Sequence, residues 1–133
     1  MGLFDFLREK RVEQTEKQLK LNKLWELWEE EKAASPYAEL MTYQSEVNNG
    51  GHSQYFTNVS KTKDLQKEML SLEAVLPTPF KRTLQIAYEA YLSLEESDNE
   101  KAEGILEQCD EMFYESEEEI NRILEEYAAK IEL

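Results

Sequence analysis

Among its 133 residues the chain has one cysteine, one histidine, three prolines and four glycines. A lone Cys109 excludes an internal disulfide framework and suits a reducing compartment, so a cytoplasmic location is expected. So few glycines and prolines exclude a loop-rich fold and point to long uninterrupted elements. No apolar run approaches the roughly 20 residues needed to cross a bilayer. The opening Met1-Gly2-Leu3-Phe4-Asp5-Phe6-Leu7 lacks the basic head and long apolar centre of a secretory signal. It also misses the myristoylation pattern, because Phe6 stands where Ser or Thr is required. Basic residues are scarce as well: 15 against 29 acidic give a net charge of −14. Such a surplus repels nucleic acid, so direct DNA or RNA binding is not expected. Metal and cofactor sites are not expected either. A helical di-iron site wants Glu-x-x-His, and the residue three before His52 is Asn49.

What is present is helical spacing almost throughout. Residues 3 to 33 carry Leu21, Leu24, Trp25, Leu27 and Trp28 at helical offsets, after a separate apolar tip of Leu3, Phe4, Phe6 and Leu7. Ser35-Pro36 and Thr78-Pro79 each read as an N-cap followed by proline in the first turn. The helix opened at Pro36 is predicted to stop at Asn48-Asn49-Gly50-Gly51. A short element at 52–58 and a helix over 62–75 follow. Ser97 with Glu100, and Ser116 with Glu119, fit the capping box and divide the last third into helices over 98–114 and 117–131. The expectation is an all-α, compact single-domain bundle of about six helices. Residues 1–34 form a helical extension and 35–133 the main domain. Trp25 and Trp28 share a face that packs internally or pairs with a second copy, so a homodimer is one open arrangement.

The charge is concentrated. Residues 1–35 sum to −1 and residues 36–82 to zero, whereas residues 83–133 hold 3 basic and 16 acidic side chains, a net of −13. Glu100, Glu103, Glu107, Asp110 and Glu111 follow helical spacing opposite the apolar stripe, and Glu117, Glu118, Glu125 and Glu126 continue the run. A helix places such carboxylates roughly every 5 Å along one face, at a rise of about 1.5 Å per residue. One strand of duplex DNA places phosphates about every 3.4 Å. The densities are similar enough for the face to present a basic protein with something like a nucleic-acid backbone.

The least generic stretch is Glu46-Val47-Asn48-Asn49-Gly50-Gly51-His52-Ser53-Gln54-Tyr55-Phe56-Thr57-Asn58. It resembles the signature of the bacterial DNA-mimic-protein domain family, E-x-N-N-G-G-[aromatic]-x-Q-[YF]-[FL]-x-N. Glu46, Asn48, Asn49, Gly50, Gly51, Gln54, Tyr55, Phe56 and Asn58 match it. The chain departs at His52, where an aromatic is usual, and at Ser60-Lys61, where a glycine often stands. The resemblance extends over about residues 33 to 131. It implies the family's fold, and the family takes its name from a member proposed to imitate duplex DNA and occupy a transcription factor's DNA site, a role that rests on surface charge.

Read from the residues, the motif is a polar clasp. Two glycines permit a sharp reversal, Asn48, Asn49, Asn58 and Gln54 satisfy loop groups, Glu46 accepts from free amides, and Tyr55 and Phe56 anchor the segment. The other reading makes Glu46, Asn49, His52 and Gln54 a small-ligand or catalytic pocket, with His52 supplying proton transfer. No nucleophile with an attached base is evident, so a binding module leads over an enzyme. Its partner is expected to be a basic protein, a DNA-binding regulator or else a basic nuclease or toxin that the protein inhibits.

Overall fold

A computed structural model describes residues 3–97 and 99–132, with side chains described for Arg8 and from Thr15 onward. The apolar tip Leu3, Phe4, Phe6 and Leu7 and the predicted helix start at Asp98 therefore lie outside the described side chains. Among the described residues the chain is all-helical, in five helices: α1 (Leu3–Glu29), α2 (Tyr37–Thr62), α3 (Leu65–Val75), α4 (Thr78–Glu96) and α5 (Glu100–Ala128). None of them is long and apolar enough to cross a membrane.

Five replaces the expected six for identifiable reasons. Ser116 begins no new helix, since α5 runs through it without interruption. Nor does Ser97 cap α5. Asn99 does so, its side-chain oxygen accepting from the amides of Lys101 (3.1 Å) and Ala102 (3.3 Å). Asn48-Asn49-Gly50-Gly51 does not end α2. It kinks it, with non-helical angles at Gly50 (φ −157°, ψ 21°) and Gly51 (φ 77°, ψ −177°), and helix resumes toward Thr62. Asp64 starts α3 by accepting from the amides of Gln66 and Lys67.

The chain divides into two compact units. The larger, residues 34–120, holds α2, α3, α4 and most of α5. Its core is aromatic: Tyr43 meets Tyr55 and Phe113 edge-on at 5.1 and 5.4 Å between ring centroids, and Phe80 meets Phe113 at 6.1 Å. Leu40, Met41, Val47, Phe56, Leu72, Leu84 and Ile120 fill the space around them. Such edge-to-face pairs add about 0.5–1.5 kcal/mol each beyond the area they bury.

The smaller unit, residues 1–33 and 121–133, holds α1 and the last turns of α5. Leu24, Leu124 and Ala128 are buried there, and Lys20 Nζ donates to the carbonyl of Ala129 at 3.0 Å. A cation suits that position, because the terminal carbonyls of a helix carry partial negative charge. Trp25 and Trp28 stack edge to face at 5.3 Å. The α1 helix closes with Glu31 at φ 60°, the amide of Lys32 reaching Leu27 and that of Glu31 reaching Trp28.

Candidate functional site

The kink in α2 creates a local problem. A helix break leaves carbonyls before it and amides after it without partners. One row of α5 supplies partners for two of them and for nearby side chains. Asp110, Tyr114 and Glu117 recur at four- and three-residue intervals and so lie on one side of that helix. The Tyr114 hydroxyl donates to the carbonyl of Val47 at 2.8 Å. Asp110 Oδ1 accepts from the His52 backbone amide at 2.8 Å and from the His52 ring at Nδ1, 2.7 Å. Glu117 Oε2 accepts from two side chains of the segment before the kink, Gln44 Nε2 at 2.9 Å and Asn48 Nδ2.

The same contacts explain the two glycines. A Cβ on Gly51 would sit 2.4 Å from Asp110 Oδ2, and its φ of 77° is already one that side chains resist. A Cβ on Gly50 would strike the Gln54 side chain. Gln54 and Asn58 both donate to Glu46 Oε2 at 2.8 Å. Thus Glu46, Gln54 and Asn58 form one polar set within α2, and Asn48 and His52 join another with α5. Tyr55 and Phe56 are fully buried, whereas Asn49 is exposed.

His52 is fully buried between two partners. A carboxylate only accepts, so Nδ1 carries a proton toward Asp110, and Nε2 lies in hydrogen-bond contact with the Tyr43 hydroxyl at 2.6 Å. Burial first, then the neighbouring Tyr55, Cys109 and Asp110, push the Tyr43 phenol well above its ordinary pKa, so it remains a donor. Burial and the adjacent Asp110 push the Cys109 thiol up in the same way. Of the residues of the second reading, His52 is buried, Glu46 and Gln54 are half-buried, and Asn49 is exposed. His52 points inward to Tyr43, while Glu46 and Gln54 bond to each other. No group of three or more His, Cys, Asp or Glu suited to a metal occurs among the described residues.

The acidic residues of α5 separate into two sets. Asp110 and Glu117 are half-buried and engaged with α2. In the larger unit Glu100, Glu103, Glu107, Glu111 and Glu118 are exposed, as are Glu115 and Glu119. None of these seven forms an ion pair with a described lysine or arginine. Glu125 and Glu126, in the smaller unit, are exposed too. Sequence reasoning missed Tyr43, Gln44 and Tyr114. At about 100° per residue, Asp110, Tyr114 and Glu117 fall on the flank of the stripe of Leu106, Cys109 and Phe113, and that offset was the available signal.

The family profile of DMP19-like proteins matches residues 31–131. The chain therefore belongs to the DMP19-like family, whose name points to proteins of the DNA-mimic type. No curated protein and no solved structure matches the chain.

Proposed function

We propose that this member of the DMP19-like family is a cytoplasmic binding module whose α5 carboxylates engage a basic protein at the surface that protein uses for DNA. The supporting observation is the row Glu100, Glu103, Glu107, Glu111 and Glu118, exposed on one helix and unpaired with any described cation. Membership in a family of DNA-mimic type supports it independently. Glu125 and Glu126 extend the acidic set in the smaller unit. Asp110 and Glu117 act one step back: they bind α2 and so fix the rotation of α5 that presents the other carboxylates outward. The matched motif residues serve the same end by holding the kink to which α5 is tied. The domain that does this is residues 35–133, with 1–34 as an extension.

Charge neutralisation of this kind is screened by salt over a distance of about 10 Å at 0.1 M. Wild-type protein and the Glu103→Lys/Glu107→Lys variant serve as paired baits in a lysate of the native host at low salt. A basic DNA-binding protein that wild type retains, that the variant does not, and that both salt and added duplex DNA displace is the expected outcome. Equal retention of the same proteins by both baits at high salt overturns the reading.

A further inference from the structure

On the side of α5 away from the α2 clasp, the larger unit carries an open-mouthed cavity of about 110 Å³. Pro79, Phe80 and Thr83 of the first turns of α4 line one wall, and Met112, Glu115 and Ser116 of α5 the other. The lining is mostly apolar, with Ser116 adding one hydroxyl: Phe80 is buried, and Met112 stays 49% exposed although it belongs to the apolar side of its helix. Thr83 turns its hydroxyl proton back to the Pro79 carbonyl at 3.0 Å and so offers the cavity no donor. Among the lining residues Glu115 is exposed and without a described cation, with Glu111 and Glu119 one turn to either side.

This combination selects its occupant by chemistry. An anion is repelled by the three carboxylates. A bare metal ion finds a single carboxylate in a mostly apolar lining, which is not a coordination shell. A purely apolar group gains nothing from Glu115. The cavity is also well below the roughly 300–1,000 Å³ of sites that hold whole small molecules. What fits is one flexible side chain with an apolar stem and a cationic end, because such side chains lay their methylenes on hydrocarbon while keeping the charge at a polar rim.

We propose that the cavity is a socket for a single lysine or arginine side chain of the basic partner, seated on Phe80 and Met112 with its charge at Glu115. This inference rests on the reading of α5 as a docking face and names how that face selects a partner by shape as well as charge.

The test follows the Met112 methyl signal of the full chain by NMR during titration with n-butylammonium, n-butylguanidinium and n-butanol at constant ionic strength. A saturable shift with one or both cations, the stronger identifying lysine or arginine, and a much weaker response to butanol are expected. Ser116→Leu, which fills the cavity without changing charge, weakens cation binding at least about tenfold, and Glu115→Gln weakens it several-fold. Unchanged signals from the buried Met41 and Met69 show that each variant is folded. The Glu103→Lys/Glu107→Lys protein still binds the probes, so failure of the socket and failure of the acidic docking face register separately. Equal shifts with butanol, or cation shifts that Ser116→Leu leaves unaltered, overturn the proposal.

Discussion

At the scale of single residues, the tightest arrangement is the buried chain of hydrogen bonds Tyr43–His52–Asp110. Removing the phenol oxygen in Tyr43→Phe takes from the buried His52 Nε2 its hydrogen-bond partner. The loss should lower unfolding free energy by about 1–3 kcal/mol, the usual cost of orphaning a buried polar atom, read by chemical denaturation. Nitrogen chemical shifts of the His52 ring should report a proton on Nδ1; a bare Nδ1 would contradict the assignment. Glu68 makes a separate case. Its Oε2 is buried without a hydrogen-bond partner, as is the Tyr55 hydroxyl. Burial first, then Glu39, raise the Glu68 carboxyl, against the lowering effect of Lys63 at 3.8 Å. An acid whose folded pKa lies above its unfolded one holds its proton more tightly when folded. Its contribution to stability is therefore greatest in acid and falls as pH rises through that interval. Glu68→Gln should accordingly be more stable than wild type at pH 7, with the difference disappearing below about pH 4 as the wild-type carboxyl becomes protonated. Paired pH-resolved denaturation curves check this, and a gap that persists in acid counts against it.

At the scale of elements, helical periodicity gave the all-α class and the main apolar stripes, because a repeat of 3.6 residues is written directly into side-chain order. Caps were less legible. Ser97 and Ser116 have the right neighbours for a capping box, yet Asn99 takes the first role and the continuous packing of Phe113 and Ile120 overrides the second. Asn-Asn-Gly-Gly marked the place of the α2 kink but not its character. Whether a glycine pair ends a helix or bends it depends on what satisfies the freed groups, and those partners lie in α5, far along the sequence. Gly51→Ala should be severely destabilising, by about 1–3 kcal/mol from backbone strain alone, with displacement of Asp110 added. Gly104 is the opposite case. It lies within α5, and a Cβ there would meet nothing within 4 Å. Gly104→Ala should therefore stabilise the protein by about 1 kcal/mol, the helix-propensity difference between the two residues. A rise in thermal midpoint for one glycine variant and a large fall for the other would be measured side by side.

At the scale of the whole molecule, the net charge of −14 is carried almost entirely by the last 51 residues. In α5, Glu103, Glu107, Glu111, Glu115 and Glu119 follow one another at four-residue intervals, where each like-charge pair costs about 0.2–0.5 kcal/mol. Added sodium chloride should therefore stabilise the free protein by about 1–2 kcal/mol while weakening its hold on a basic partner, and thermal melts across a salt series test the first half. Composition exposed this imbalance at once. It did not show that Asp110 and Glu117 leave the surface row to bind α2, because a count of charges carries no information about which side of a helix meets a neighbour. That division has a consequence for synthesis. The groups freed at the α2 kink are translated by Asn58, but their acceptors and donor in α5 begin only at Asp110, 52 residues later. At a translation rate of about 5–20 residues per second, the nascent chain carries an unclasped kink for roughly 3–10 s. Over that interval the bend is held by glycine geometry and the Glu46–Gln54–Asn58 set alone, so a message that stalls before codon 110 would release a chain with its central helix break still open to water and to chaperones.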